Sequence, residues 1–581
     1  MKPLIRLSLL LLIVTAMCTS CKKAAPKQTK HIPKSAVFVA GINTKSLAGK
    51  LEKNQATIES IIKSLSGNDS TATNGKQEFE DLKNSGIDLS ENFYMSVVSK
   101  GGGMGTTGTS GVVAAIAMLK DATKLQAYIK KKHPLSEIKK EKDFSYATWE
   151  GENIVAWDDE LIVALKYQQN YSGGMEFDSA TGTYNLKRPM NADMDLKTEA
   201  ASYFSLKEDQ SVASVPEFRD LMQEKSDATF WINSSSMTEN LPLPLPKLKE
   251  LFGNSFTAAT VDFEDGEIVA NTKSYASPEL RDIYKKYSGR TVDLSLIENY
   301  PSNNVNGFMA FSFDPQVISA IVKYLEVGGM VDGFLTKAMG TNYTLQDALK
   351  VIKGDFAFVY SDVKAQGMST TTADTVGGRS QPRTSMNMGK MILNIPVGDK
   401  VQMNRLMDKV VAAGMLVKVG NEYKTSPQFR AMGIQASIDD KNLLVSTDSV
   451  TLAQYKTRTG KAVLDKEVMK NFNDKAGIVY INIESILNGI PFNSSDPASS
   501  VIMPKAKETF KDMIAYAEPF TGKYIEGKAS FRFKNEKANS LTSLLDFVNT
   551  AAQTAQANRA RSHTQVDSTA VLDVQVDTTK H

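Results

Sequence analysis

Few side chains in this 581-residue chain invite a chemical reading. There are four histidines, His31, His133, His563 and His581, and three of them lie in polar terminal segments. A Ser-His-Asp or Cys-His site would therefore rest on His133 alone, within the run KKKHP after a helix, and a zinc site built from several histidines is excluded. His133 reads as an exposed residue at a helix C-terminus. Ser60 and Lys63 have the S-x-x-K spacing in which a lysine activates a serine, with Ser66 and Asn68 close behind. The second motif and the strand-borne K-T-G that such chemistry needs are missing, and Ser136 with Lys139 match equally well, so both read as solvated helix faces. GMGTTG from Gly103 has the G-x-G-x-x-G spacing of a nucleotide loop, but a strand follows instead of the helix whose amides would meet a pyrophosphate. Asp158, Asp159 and Glu160, and again Asp439 and Asp440, could bind a hard cation or act as an acid and base. Each group falls where two strands meet, and aspartate favours such turns because it bonds its own backbone. The expectation is no catalytic residue, no metal ligand and no cofactor; Trp149, Trp157, Phe230 and Trp231 are spaced as strand faces and read as core.

The cysteines carry a different chemistry. The chain opens MKPLIRLSLLLLIVTAMCTSC, with Lys2 and Arg6 ahead of an apolar run from Leu7 to Met17. That run is a secretory signal, too short for a transmembrane helix, which needs about 20 apolar residues. Cys21 follows the small residue Ser20, whereas Cys18 follows Met17, so cleavage before Cys21 and lipidation of its thiol and amine are expected. The third residue upstream is Cys18 where a lipobox usually has leucine. Both cysteines of the chain lie here, so the mature protein has no second thiol and no internal disulfide. Several acyl chains at about 0.8 kcal/mol per buried methylene give lasting attachment.

With 68 basic residues, less Lys2 and Arg6, against 65 acidic ones, the mature chain is close to neutral. It lacks the basic footprint of a nucleic-acid binder. At 41% hydrophobic and 23% charged it is ordinary globular material, too long for one core.

The elements that would position any site come twice in the same order. A strand and helix start, VFVAGINTKSLAGKL from Val37, matches GFMAFSFDPQVISAIVKYL from Gly307. DLSENFYMSVVSK from Asp88 matches VIKGDFAFVYSDV from Val351, each followed by a loop of low complexity. VVAAIAMLKDATKLQAYI from Val112 matches MILNIPVGDKVQMNRLMDKV from Met391, an apolar strand ending at an aspartate that starts a helix. Strand pairs meeting at Asp158-Asp159 and Asp439-Asp440 follow, then helix, strand and short helix from Val215 and from Asp465, then a closing hairpin from Phe256 and from Gly522. Hairpin-linked strands with interspersed helices give the expected fold class: α+β, a tandem duplication of a largely antiparallel sheet unit with flanking helices. The expected layout is a signal peptide at 1–20, a basic tether at 21–34, repeat halves at 35–290 and 298–550, and a disordered polar tail at 558–581.

The stretch HIPKSAVFVAGINTKSLAGKL after a lipidated cysteine resembles a family of large Bacteroidetes lipoproteins of unknown function, most clearly over Ile32 to Leu51. The resemblance implies a palmitate-bearing envelope protein and transfers no functional residue. Asp-Ser or Asp-Thr followed by a small apolar residue or threonine resembles the O-glycosylation acceptor of Bacteroidetes envelope proteins. It marks Ser70, Ser179, Thr375, Ser449, Ser568 and Thr578. The reading is a membrane-anchored envelope lipoprotein with a non-enzymatic binding or structural role. The alternative is a carboxylate-dependent hydrolase acting on an envelope or dietary polymer. Expected partners are the membrane, through the N-terminal lipid, and an envelope protein or a glycan; nucleic acid is not among them. Lys22 and Lys23 stand where exported surface lipoproteins carry acids, so the anchor is expected in the outer membrane, facing the periplasm.

Overall fold

The computed structural model describes residues 25–51, 75–101, 108–149, 153–171, 175–178, 183–186, 195–234, 246–340, 342–363, 389–490 and 497–570. These fall into two compact units. The first draws on Met1–Leu47, Glu80–Pro244 and Asn254–Val261, the second on Ala48–Phe79, Leu245–Gly253 and Asp262–His581. The chain is α+β, and every strand pairing described is antiparallel.

In the first unit β1 (Phe38–Ile42), β2 (Phe93–Gly101), β3 (Gly108–Met118), β4 (Ile138–Lys140), β5 (Ser145–Trp149), β6 (Asn153–Trp157) and β7 (Leu161–Tyr171) precede a separate hairpin of β8 (Met175–Asp178) and β9 (Thr183–Leu186). β10 (Ala228–Asn233) and β11 (Phe256–Phe263) follow. The order across the sheet is β11, β10, β1, β2, β3, β7, β6, β5, β4.

The second unit holds β12 (Glu267–Tyr275), β13 (Val305–Ser312), β14 (Asp355–Ser361), β15 (Lys390–Pro396), β16 (Leu416–Val419), β17 (Glu422–Thr425), β18 (Gln435–Ile438), β19 (Asn442–Ser446), β20 (Gly477–Ile481), β21 (Phe510–Ala517) and β22 (Tyr524–Phe533). Its order is β12, β22, β21, β20, β13, β14, β15, β19, β18, β17, β16. Strand β12 belongs by sequence to the first half, yet it pairs along its length with β22.

From β21 to β16 the connections repeat those from β11 to β4, and so does the register. One cross-strand row in the first sheet reads Thr260, Thr229, Gly41, Tyr94, Ile116, Val163, Ala156, Tyr146, Lys139. Its counterpart reads Tyr516, Ile478, Ala310, Ala357, Asn394, Leu444, Ser437, Lys424, Val417. Setting the capping Asp121 against Asp399 and the turn Asp158 against Asp439 pairs the positions in this way; a slip of one residue would turn a whole strand face over.

Helices cover both faces of each sheet. In the first unit α1 (Ala122–Lys132) is capped by Asp121, which accepts from the amides of Thr123 and Lys124. Its Leu125 and Ile129 pack on Ala117, Ala147, Val155 and Trp157. Helices α2 (Leu196–Phe204) and α3 (Pro216–Leu221) bring the fully buried Tyr203 and Phe218. The second unit repeats this with α4 (Lys400–Ala412), capped by Asp399, whose Met403 and Met407 pack on Leu416, Tyr423 and Ile438. There α5 (Ser449–Thr457) and α6 (Lys466–Lys470) bring Tyr455 and Val468 to a core with Phe308, Phe472 and Tyr480. Each large apolar side chain buried this way contributes about 1.5–3 kcal/mol.

Two segments are more ordered than the sequence suggests. Lys22–Lys34 was expected to be tether, but Lys27–His31 forms a 3-10 helix with Gln28 and Thr29 buried, and Ile32 is fully enclosed. The enclosed Ile32, Gln28 Nε2 donating to Asn92 O, and backbone bonds from Lys34 to Gln210 and from Val212 to Ile32 dock a basic segment whose Lys27 stays in water. At the other end, α7 (Ser540–Ala570) runs past Asn558 into the stretch read as polar tail. No helix among the described residues is long and apolar enough to cross a membrane.

Candidate functional site

Where β1, β2 and β10 end together, Gly41 lies between Tyr94 and Thr229 in one row. A Cβ on Gly41 would stand 2.6 Å from Thr229 Oγ1 and 2.8 Å from Tyr94 Cε1, so the glycine is what lets those two side chains close over the strand. Beyond them is a pocket of about 280 Å³, including its open mouth, lined by Asn43, Asn92, Met222, Glu224, Ser226 and Ala228 as well. The turn before β10 is held by the Asn43 amide, donating to Asp227 O at 2.9 Å, and by Asn43 Nδ2, donating to Ser226 O at 3.1 Å. Ser46 Oγ donates to the buried Asp227 carboxylate at 2.6 Å.

Ser226 Oγ is buried with no hydrogen-bond partner. The Tyr94 hydroxyl donates to Met222 Sδ at 3.7 Å, a weak acceptor, and is hydrogen-bonded to the Asn92 side chain. Burial pushes the Tyr94 phenol up, with the Asn92 amide working against it.

At the same place in the second unit Ala310, Ala357 and Ile478 stand for Gly41, Tyr94 and Thr229, and Ser312 and Asp355 for Asn43 and Asn92. Ser312 Oγ donates to Asp355 Oδ1 at 2.7 Å. Arg290 donates to Asp355 Oδ2 at 2.9 Å and to Lys353 O at 2.5 Å. Lys475, the counterpart of Ser226, binds Glu518 at 2.6 Å and lies 4.7 Å from the centre of the Tyr516 ring. The acceptors at this end are thus occupied by the chain's own guanidinium.

The residues singled out in the sequence do not converge on either place. Asp158 Oδ1 accepts from the amides of Glu160 and Leu161, and Asp439 Oδ1 from those of Lys441 and Asn442, so both are turn formers. Glu160 pairs with Lys27, and Lys400 beside Asp440 holds that carboxyl below the usual range. Burial raises Glu422, but the Lys456 ammonium at 2.6 Å and the Ser437 hydroxyl bring it below normal. Ser136 Oγ donates to His133 O at 2.8 Å, while Lys139 lies beside Glu137, so this S-x-x-K is no catalytic pair. His133 is half-buried, not exposed, stacked on Trp149 with ring centres 4.2 Å apart, and His31 Nδ1 meets Tyr203 O at 2.9 Å. Trp157 and Trp231 are buried as expected. Among the described residues no group of three His, Cys, Asp or Glu side chains could hold a metal ion.

Ser449 is exposed at the start of α5, where Asp448 caps the helix through the Thr451 amide at 2.7 Å. Ser568 lies in α7. Cys21, Ser60, Lys63, Ser70, the Gly103 loop, Ser179, Thr375 and Thr578 lie outside the described residues.

Residues 28–323, just over half of the chain, match the family described as domain of unknown function DUF4836. The chain belongs to that family. The DUF4836 match takes in the whole Gly41 pocket and extends through β13. No curated protein matches the sequence. Solved structures of TP0453 in crystal forms III and IV align at TM-scores of 0.23 and 0.24, with 9% and 10% identity, covering 44% and 46% of this chain and 81% and 87% of theirs.

Proposed function

We propose that this DUF4836 protein is a lipid-anchored envelope protein with a binding role, built by tandem duplication of one antiparallel sheet unit. The duplication is supported by the shared register and by the aspartate caps at matching helix starts. The binding role rests on one observation: one matching position, Ile42 in the first unit and Phe311 in the second, carries a large partly exposed apolar side chain, with another, Met95 and Met309, on the same face beside each. Ile42 and Met95 are 43% and 42% exposed in the first unit, and Met309 and Phe311 are 41% and 39% exposed in the second. Phe311 is the counterpart of Ile42, and Met309 of Ala40. Apolar side chains open on the same face of both sheets, and at the same position for Ile42 and Phe311, suit contact with a partner, whereas Asp158, Asp439, Asp440 and Glu160 are engaged in turns and ion pairs.

The anchor follows from Cys21. Growth with an alkyne-bearing palmitate analogue should label the protein, and Cys21→Ala should abolish labelling and release it from the membrane fraction. A labelled Cys21→Ala protein would end this reading. Native crosslinking should capture a reproducible partner that is lost in an Ile42→Glu, Phe311→Glu double variant. Phe311 stacks on Phe356 with ring centres 4.7 Å apart, so its replacement should cost about 0.5–1.5 kcal/mol or more, and the melting temperature of the double variant separates lost binding from lost folding. On this reading the anchored protein faces the periplasm and resists protease added to intact cells. An intact mass equal to that of the bare lipoprotein would remove the proposed glycosylation at Ser449 and the other five sites.

A further inference from the structure

We infer that the helix Gly328–Met339 pairs, antiparallel and about a two-fold axis, with the same helix of a second copy of this chain. The surface is separate from that of Ile42 and Phe311, and the inference does not depend on the lipid anchor.

The helix lies between β13 and β14 in the second unit and turns one side inward. Asp332 Oδ1 accepts from the Leu345 amide at 2.7 Å, the Thr336 hydroxyl donates to Tyr343 O at 3.3 Å, and Met339 is buried. Spaced by four and then three residues, these three share a face. On the other side Gly329, Met330, Gly333, Phe334 and Lys337 are exposed. Met330 is 67% and Phe334 71% exposed, more open than Ile42 or Phe311, and Asp332, the helix's one acid, is turned away from them. A Cβ on Gly329 or Gly333 would meet nothing within 4 Å. No packing inside the chain requires glycine there, and each glycine weakens the helix relative to alanine. Their use is the one glycine has at close helix crossings, where a second backbone comes near.

Symmetry and charge identify the occupant. Met330 with Phe334, Gly329 with Gly333, and Glu326 with Lys337 share one midpoint, at the bond between Val331 and Asp332 to within half a residue. An antiparallel two-fold at that point sets Met330 against Phe334 of the second copy, glycine against glycine, and Lys337 against Glu326, a self-complementary arrangement. Glu326, two residues before the helix, is 72% exposed in its side chain, and its pair with Lys247 is a surface pair that is readily exchanged. A parallel pair would bring Lys337 against Lys337, so charge selects the antiparallel one. A lipid surface fits less well, because two large apolar side chains are few for a helix lying in a membrane interface and the glycines add no burial there. A face of three turns falls short of the roughly 1,200 Å² of a stable interface, so the pair is a weak one.

The test is disulfide trapping of full-length chains in native membranes, since the chain's own cysteines, Cys18 and Cys21, both lie near its start. Glu326→Cys and Lys337→Cys chains, tagged differently and co-expressed, should give a mixed disulfide in several-fold excess over either chain with itself. Phe334→Ala in both should cut the mixed product several-fold. Gly329→Leu in both should abolish it, with the melting temperature unchanged or raised, because the leucine meets open space within its own chain. In detergent, self-association of the full-length protein measured by sedimentation should weaken about 2- to 5-fold in Lys337→Glu and return when Glu326→Lys is added. No mixed disulfide, an excess of Lys337→Cys joined to itself, trapping undiminished by Gly329→Leu, or no recovery in the double charge reversal would each overturn the inference. So would a loss of liposome contact in Phe334→Ala with the mixed disulfide unchanged, which would make the face a lipid-binding one.

Discussion

Trp231 in β10 and Tyr480 in β20 occupy the same place in the two sheets, and their surroundings differ. Around Trp231 the neighbours are apolar: Phe256 stacks on it with ring centres 4.7 Å apart, and Phe218 meets it edge-on at 5.6 Å. Around Tyr480 the counterpart of Phe256 is Asp512, which takes a two-bonded grip on Arg532 at 2.5 and 2.6 Å. Burial lifts the Tyr480 phenol to about 12, and the Asp512 charge adds to it. One backbone and one register therefore support either an aromatic stack or an ion pair beneath the same strand. What the two units share is the ladder and its caps; the side chains beneath differ in chemistry.

The largest test removes half of each arrangement. Asp512→Ala leaves Arg532 without its carboxylate and should cost about 3–5 kcal/mol in chemical denaturation. Trp231→Ala, which opens a cavity under an otherwise apolar cluster, should cost about as much, roughly 3–5 kcal/mol. The two differ in how they are repaired. Asp512→Leu combined with Arg532→Leu should recover most of the loss, because an apolar pair of similar volume is often neutral or better than a buried ion pair. If the double variant is as unstable as Asp512→Ala, the two cores are not interchangeable and the comparison fails.

A smaller effect is expected where the units differ at the pocket end. Arg290 is 40% exposed in its side chain and Asp355 14%, so the surrounding water screens part of their attraction. Arg290→Ala should cost about 1 kcal/mol or less. Asn92→Asp in the first unit should be similarly mild if that side chain reaches the pocket's water. A loss of several kcal/mol would mean that the position is closed and structural.

How much of this was legible depends on the distance over which each feature is decided. The aspartates at 121, 399, 158 and 439 act on amides two or three residues away, and their spacing alone announced caps and turns. The α+β class followed from alternation and hairpin spacing, which are also local. Register is not: the sequence comparison set Val37 against Gly307, while the ladders equate Gly307 with Phe38, because alternation tells which face a side chain takes but not which residue it opposes. The Gly41 pocket was invisible for the same reason. Its lining comes from 41–43, 92–94 and 222–229, three stretches with no shared motif, joined only because β1 lies between β2 and β10. Asp512 and Arg532 are likewise unremarkable until two strands are paired.

The smallest predicted effects probe what the two units share. Asp195 caps α2 and Asp448 caps α5. The Thr198 hydroxyl bond is the main influence holding the Asp195 carboxyl below its ordinary value. For Asp448 burial pushes upward, and the Thr451 hydroxyl and amide with the Lys390 ammonium outweigh it. A depressed folded-state pKa stabilises the fold above the unfolded value, near 4, and that contribution is lost as pH falls through the lower folded value. Asp195→Ala and Asp448→Ala should each cost about 1 kcal/mol at neutral pH and much less at pH 2.5. Equal losses would show that the two caps are still doing one job in both units. A loss at Asp448 several times that at Asp195 would instead tie the second cap to the network of Lys390 and Asp362 around it, a difference that reaches the helix starts as well as the core.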